Sequence, residues 1–373
     1  MTPLRVTIVA PWGERLGGAE EGLWQGLRRC RREALEPTVV FLGEGDFVGD
    51  VAGLGMATAV IPAGRLRQPR ATLGTVIRLR QFLRSENPDL VLSWSAKAHL
   101  YTAPAAVSAG LSRRLMWWQH MTPHGHWVDR IATRLPAAAI GCWSDASRVA
   151  QKALRPRRPT FVVNPGVEVH AREIGDADAQ LGSSIPSQRL VVGIVGRLQP
   201  WKGQDRFLHA LAQLRDRGHD VHGLIVGGDA YGLAPEYPAE LRRLVERLNL
   251  EDRVTMTGQV ADAAPYYDLM DVAVNASEGE PFGIVLLEAM AAGVPVVAVR
   301  EGGPIDIIDS GTTGMLAETG APEALADAID ALLADPQFRV AAGEAAKRRY
   351  LERFTAERMA EELTARLREV AHA

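Results

Sequence analysis

Short apolar runs of strand length alternate with longer amphipathic stretches along this chain, and the alternation runs through twice, restarting near residue 190. In the first pass strands are expected at Arg5 to Ala10, Thr38 to Leu42, Ala59 to Pro62, Leu90 to Ser93, Arg114 to Trp118, Ala138 to Cys142 and Phe161 to Val163. Helices fill most of the gaps, as at Ala19 to Leu35 and Ala71 to Arg84. In the second pass strands fall at Leu190 to Val195, Val221 to Val226, Arg253 to Met256, Val272 to Asn275 and Val296 to Val299, with a helix over Gln204 to Arg217. Strand and helix in strict alternation build a parallel sheet flanked by helices. The fold class is therefore α/β, with two doubly wound Rossmann-like domains.

The polar, unpatterned stretch from His170 to Gln188 reads as the linker. Domain boundaries follow at residues 1–170 and 189–354. The chain closes on amphipathic helices at about Pro322 to Ala334, Pro336 to Phe354 and Thr355 to Ala371. At 373 residues, nearly half of them apolar, two domains can each bury a core.

Leu4 to Ala10 is an apolar run broken by Pro11 and Gly13, so it reads as a strand rather than a signal peptide. No apolar stretch reaches the roughly 18 residues a membrane-spanning helix needs. Cys30 and Cys142 are the two cysteines, too few for a disulfide framework or a cysteine-based metal site. A cytoplasmic protein with reduced thiols is the expectation. Residues 1–170 hold 22 Lys and Arg against 13 Asp and Glu, whereas the rest holds 20 against 32. Basic clusters at Arg28, Arg29, Arg31, Arg32 and at Arg65, Arg67, Arg70, Arg78, Arg80, Arg84 admit a peripheral contact with an anionic membrane at its inner face. Solvated arginines on helix faces are the plainer reading of them. Nothing points to nucleic acid.

The segment Glu280-Pro281-Phe282-Gly283-Ile284-Val285-Leu286-Leu287-Glu288 sets two carboxylates at the ends of an apolar run. Pro281 and Gly283 mark a helix start, and Gly293 with Pro295 ends the helix before Val296. With helical residues between them the carboxylates lie roughly 12 Å apart at about 1.5 Å per residue, too far to share one reacting bond. They suit two hydroxyl-bearing parts of one elongated ligand. The helix start between them offers unpaired N–H groups and partial positive charge to an anionic middle such as a diphosphate.

This Glu-x7-Glu segment resembles the signature of the retaining glycosyltransferases of family 4, group 1, which have the GT-B fold. Four further matches stand in that family's order: Gly17-Gly18-Ala19-Glu20, His120, Asn164-Pro165-Gly166-Val167-Glu168, and Gly196-Arg197-Leu198-Gln199-Pro200-Trp201-Lys202-Gly203. The resemblance implies a central cleft between the two domains, and a C-terminal helix, about 355–373, that returns to the first.

It also implies that Arg197 and Lys202 bind the donor diphosphate and stabilise it as it leaves, that Glu280 holds hydroxyls of the transferred sugar, and that Glu288 binds the ribose. Backbone groups near Phe282, Gly283 and Ile284 would add donor contacts, and the loop Gly258-Gln259-Val260 would meet the nucleobase. His120 would touch the donor sugar near the reacting carbon, with Gly17 and Gly18 allowing close backbone approach. The activity implied is metal-independent, cofactor-free transfer of a hexose-type sugar, with retention, from a nucleotide diphosphate sugar to an acceptor hydroxyl. That acceptor could be a sugar, a lipid-linked glycan or a small metabolite, and uridine, guanosine and adenosine donors stay open.

His120, His124 and His126 cluster, but no carboxylate or thiol beside them completes a metal site, and a structural role suits His124 and His126. Trp12, Trp94, Trp117, Trp118 and Trp127 could face an acceptor or pack inside. Two other functions compete: a nucleotide-sugar epimerase of related fold, which needs no acceptor, and a non-catalytic nucleotide-sugar binder.

Overall fold

The computed structural model describes residues 2–15, 17–168, 185–186, 188–229 and 232–372. The chain divides into two compact units, Met1–Gly166 with Thr355–Ala373, and Val167–Phe354. The linker expected at His170 to Gln188 lies outside the described residues, apart from 185, 186 and 188.

In the first unit seven parallel strands take the order β3-β2-β1-β4-β5-β6-β7. They are β1 (Leu4–Ala10), β2 (Leu35–Phe41), β3 (Ala57–Val60), β4 (Leu90–Ser93), β5 (Leu115–Gln119), β6 (Ala139–Cys142) and β7 (Thr160–Val162). The connecting helices are α1 (Gly18–Arg29), α2 (Asp46–Gly53), α3 (Pro69–Glu86), α4 (Ala96–Ser108), α5 (Trp127–Arg134) and α6 (Asp145–Ala153). Sheet residues Val9, Val40 and Val91 pack with Leu79 and Leu83 of α3 and Tyr101 of α4. Both faces of a parallel sheet must be covered, so its strands read as continuous apolar runs.

The second unit repeats the plan with six parallel strands in the order β10-β9-β8-β11-β12-β13. They are β8 (Leu190–Val195), β9 (Val221–Val226), β10 (Val254–Met256), β11 (Val272–Asn275), β12 (Val296–Val299) and β13 (Gly314–Ala317). Its helices are α7 (Gln204–Asp216), α8 (Tyr237–Arg247), α9 (Ala264–Tyr267), α10 (Ile284–Ala292), α11 (Pro304–Ile307), α12 (Pro322–Leu333) and α13 (Pro336–Arg353). The last helix, α14 (Ala356–His372), belongs to the first unit. Met359 and Leu363 of α14 approach Gly26 of α1, and Glu357 and Glu361 pair with Arg29 and Arg31.

The helix expected at Ala19 to Leu35 is shorter than its pattern implies. It stops at Arg29, because Leu35 to Phe41 are drawn into a full parallel ladder with β1 that begins at Leu4↔Leu35. Pro37, which has no N–H to give a helix, lies within that ladder. At the start of α3, Pro69 occupies the first helical turn, so the helix begins two residues before Ala71. The strand β13 was not foreseen: its Gly314, Met315, Leu316 and Ala317 gain strand geometry from pairing with β12.

Candidate functional site

In the second sheet the strand order reverses between β8 and β11, so the loops leaving these neighbours diverge and open a crevice at their carboxyl ends. After β8 come Gly196, Arg197 and a short 3-10 turn, Pro200–Lys202. Gly203 then starts α7 at φ 74°, and a Cβ there would lie 2.4 Å from the carbonyl oxygen of Ala276. Only glycine lets the two loops come this close. Arg206 ties them further: it donates to the carbonyls of Ala276 (2.7 Å) and Trp201 (3.3 Å) and pairs with Glu278.

This bracing brings Lys202 Nζ to 2.7 Å from Glu280 Oε2, although 78 positions separate them in sequence. Asn275 Nδ2 donates to the same oxygen at 3.3 Å, and Asn275 Oδ1 accepts from Ser277 N. Burial alone would raise the Glu280 carboxyl. The Lys202 charge and hydrogen bonds from Lys202, Ser277 and Asn275 outweigh it and hold the group below its ordinary range. Lys202 Nζ also lies 4.1 Å from the centre of the Trp201 ring, whose N–H donates to Gln199 Oε1 at 2.8 Å. Arg197 is half-buried beside β8, its carbonyl accepting from Gln204 Nε2.

Beyond Glu280 the chain passes through buried Phe282 and enters α10 at Gly283, whose φ is 104°. No side chain caps this helix and no acidic residue occupies its first turn. Its N-terminus, with Ile284 as first helical residue, therefore keeps its partial positive charge beside the crevice. The Glu280 carbonyl accepts from Gly303 N at 2.9 Å. A Cβ on Gly302 would lie 2.1 Å from that same carbonyl oxygen, and one on Gly303 would lie 2.1 Å from Phe282 Cα. Gly302 and Gly303 escaped the sequence reading, although a Gly-Gly-Pro run after a strand was the available signal.

Glu288 lies within α10, where Tyr267 OH donates to its Oε2 at 2.8 Å. Tyr267 is fully buried, and burial first, then the Glu288 charge and hydrogen bond, push its hydroxyl well above the ordinary tyrosine range. It therefore stays a donor. No local pattern marked Tyr267.

On the other flank Gly258 forms an isolated bridge with Gly227, while Thr257 Oγ1 accepts from Gly227 N and donates to the Gly258 carbonyl. Leu198 N donates to the Gly228 carbonyl, so the loops after β8, β9 and β10 are tied in sequence. Gln259 is exposed and Val260 half-buried.

Gly17, Gly18 and His120 belong to the first unit. Gly17 precedes α1 and Gly18 opens it. His120 follows β5 and is buried between Trp94 and Trp143, with ring centres at 4.8 and 4.7 Å. Burial pushes its imidazole down to about 3, so the ring is neutral. Its buried Nε2 has no hydrogen-bond partner among the described residues. Trp94 Nε1 donates to the Ala19 carbonyl, which locks this aromatic group against the start of α1. Trp94, Trp117 and Trp118 are buried, whereas Trp12 and Trp127 are exposed. His124 and His126 are exposed, and among the described residues no three His, Cys, Asp or Glu gather as metal ligands.

Two parallel-sheet Rossmann-like units, the last helix returning to the first, with polar loops at the strand ends of the second, define the GT-B fold. Solved structures of Anabaena HepE share it. The complex with UDP gives a TM-score of 0.85 at 27% identity, over 98% of this chain and 100% of that one. The complex with UDP and glucose gives 0.83 at 26%, over 98% and 99%.

Residues 179–349 match the family of glycosyl transferases group 1. It resembles the D-inositol 3-phosphate glycosyltransferase of Corynebacterium glutamicum, at 36% identity over 191 residues, 49% of this chain and 45% of that protein. It is 39% identical to the protein of the same name from Segniliparus rotundus over 191 residues, 49% and 41% of the two chains. The match spans less than half the length of these curated relatives.

Proposed function

We propose that the protein is a retaining glycosyltransferase that moves a hexose-type sugar from a nucleotide diphosphate sugar to an acceptor hydroxyl. The observation that carries this reading is the Lys202–Glu280 pair at the β8/β11 reversal, beside the uncapped start of α10. A cation and an ionised acid at one spot suit a donor whose diphosphate needs positive charge and whose sugar presents hydroxyl donors. Arg197 and Lys202 take the diphosphate, Glu280 the sugar hydroxyls and Glu288 the ribose. N–H groups around Phe282, Gly283 and Ile284 face phosphate or sugar, and Gly258, Gln259 and Val260 take the base. The HepE complexes with UDP and glucose favour a uridine donor.

As the bond from the anomeric carbon to the diphosphate oxygen breaks, charge grows on the leaving group. Fixed cations lower that barrier without reorganising. Glu280 is held below the ordinary carboxylate range, so it is a weak general base. This favours a route in which the leaving phosphate accepts the acceptor's proton while the new carbon–oxygen bond forms on the same face. That route uses neither metal nor other cofactor. Incubation with UDP-glucose, a hydroxyl acceptor and EDTA tests it: UDP release and a product of unchanged anomeric configuration by proton NMR are expected. An inverted product removes retention, failure of wild-type protein to bind UDP removes the donor site, and conversion of donor alone to an epimer makes the protein an epimerase.

A second reading concerns place of action. Among the described residues no helix is long and apolar enough to cross a membrane. Helix α3 and the loop before it expose Leu66, Leu73 and Ile77 beside exposed Arg65, Arg67 and Arg70, which suits docking on an anionic leaflet at the cytoplasmic face. The other basic cluster is engaged within its own unit. Arg29 and Arg31 pair with α14, and Arg32 donates to the Leu54 carbonyl. Binding to anionic vesicles that fades with salt is expected, and salt-independent binding or none leaves α3 as a solvated face.

A further inference from the structure

Glycine at 203 makes room for more than the close approach of two loops. A Cβ there would lie 2.5 Å from Arg206 Nη2 and 2.8 Å from its Nε, so the guanidinium fills space that any other side chain at 203 would take. Arg206 is the third residue of α7, and its side chain turns back past the helix start, where it is only 15% exposed. From there Nη2 donates to the carbonyls of Trp201 and Ala276, and Nη1 pairs with Glu278. Glu278 N also donates to the Trp201 carbonyl at 3.0 Å, so one oxygen is tied to the far loop twice.

This arrangement is unfavourable taken by itself. A cation in the first turn opposes the partial positive charge of a helix start. Asp205, the acid of that turn, is engaged by Tyr237 OH at 3.0 Å. The buried Nε–H of Arg206 has no hydrogen-bond partner among the described residues. A carboxylate as open to water as that of Glu278, 61% exposed, offsets little of this. Arg206 and Glu278 also stand outside the motif segments 196–203 and 280–288. Departures from local preference gather where a site needs them.

The contacts of Arg206 end beside both halves of the Lys202–Glu280 pair. Trp201 is the residue before Lys202, and Ala276 stands between Asn275 and Ser277, which both hydrogen-bond Glu280. A lysine is a point charge on a flexible stem, so the backbone at 202 decides where its ammonium can reach. A guanidinium that grips carbonyls of both loops leaves them less play than either has alone. A displacement of about 1 Å can cost on the order of a hundredfold in rate. Cations also stabilise a leaving group best when they are already in place.

We propose that Arg206 is a positioning residue for the transfer step: it fixes the gap between Lys202 and Glu280 through the backbone of Trp201 and Ala276, and meets no substrate itself. This rests on the transferase reading.

The experiment is a double-mutant cycle on the full chain, with wild type, Arg206→Gln, Lys202→Ala and the double variant. UDP affinity is measured by calorimetry and transfer from UDP-glucose by UDP release. With Lys202 present, Arg206→Gln should lower kcat by roughly thirty- to hundredfold. It should weaken UDP binding by only about three- to tenfold, because the displaced ammonium loses most against charge that grows in the transition state. In the Lys202→Ala background the same substitution should change UDP affinity by less than about twofold, since nothing is left to position. Arg206→Lys should fall between wild type and Arg206→Gln, as an ammonium lacks the fork that grips both loops. Glu278→Gln should transfer within about threefold of wild type, its amide oxygen still accepting from Arg206.

A wild-type kcat in Arg206→Gln overturns the proposal. So does an equal loss of UDP affinity in both backgrounds, which would mark a general structural role. If Arg206→Gln does not fold, Arg206→Lys carries the same cycle, and a wild-type kcat there is the overturning result. Failure of the transferase reading looks different: wild type would transfer nothing, while Lys202→Ala would still lower the urea midpoint less once Arg206 is replaced. An equal drop in both backgrounds would then overturn the positioning role as well.

Discussion

Lys202 Nζ and Glu280 Oε2 meet at 2.7 Å between the loops after β8 and β11, with the acid nearly buried and the lysine mostly so. Removing one member of such a pair leaves the other desolvated and unpaired, which typically costs about 3–5 kcal/mol. Asn275 and Ser277 still bond Glu280, so the cost for Lys202→Ala should fall toward the lower end. The variant is expected to fold, with a lower urea midpoint, and to lose nearly all transfer. Unchanged transfer removes the catalytic role of Lys202, and an unchanged midpoint removes its structural one.

Acid should destabilise this protein through groups that fold in their uncharged or strongly paired forms. His99 and His120 have folded values near 3 against an ordinary 6.5, in both cases chiefly through burial, with Arg158 adding to the effect on His99. Between these limits the unfolded chain binds protons that the folded one does not, so stability is lost as pH falls from 6.5 toward 3. At pH 5 the loss is about 2 kcal/mol per histidine. Glu280 acts in the same direction lower down, since its stabilising effect is present above the ordinary 4.5 and is lost as pH falls through its depressed folded value. Urea unfolding at pH 7.5 and pH 5 should show the drop, and the double variant His99→Phe/His120→Phe should show a smaller one. A drop of equal size would place the acid sensitivity elsewhere.

Tyr267 orients Glu288 through the 2.8 Å hydrogen bond to Oε2. With Glu288 on the ribose, Glu288→Ala should weaken UDP binding without preventing folding. Tyr267→Phe should weaken it by roughly ten- to hundredfold, as expected for a lost hydrogen bond to a charged group. Calorimetry with UDP and 2′-deoxy-UDP is the check: wild type should prefer the ribose form, and both variants should lose much of the preference. Equal UDP affinity in Glu288→Ala would take the ribose contact away.

Gly303 has an ordinary backbone φ, so its need for glycine is steric. A Cβ would sit 2.1 Å from Phe282 Cα. Gly303→Ala must displace the start of α10 or the loop that carries Glu280, at a cost of about 1–3 kcal/mol or more. Gly49→Ala is the control, because it lies in α2 with nothing within 4 Å of an added Cβ. It should leave stability unchanged or raise it by up to about 1 kcal/mol. Thermal melts of the two decide the matter, and a Gly303→Ala melt equal to wild type would contradict the close approach.

Much of this molecule is legible in one dimension. The parallel α/β class follows from alternation, and the start of α10 at Gly283–Ile284 follows from Pro281, Gly283 and the apolar run, because these act through the backbone of their immediate neighbours. Element limits were less readable where a distant strand competes for the same backbone, as at Leu35 against β1 and Gly314 against β12. The candidate residues were found by type and order, but their partners were not. Tyr267, Gly302 and Gly303 carry no periodic signal, since their roles depend on what lies across a loop.

Local chemistry therefore set the elements and the residue types at their ends: glycine where a turn needs it, apolar residues where a helix is covered, charged groups in the loops after strands. The pairing of Lys202 with Glu280, the anchoring of Glu288 by Tyr267 and the neutral His120 between Trp94 and Trp143 came only with folding. Contacts between residues tens of positions apart depend on strand order and close packing, and a charge acquires its strength or its proton affinity from the burial and neighbours that packing supplies.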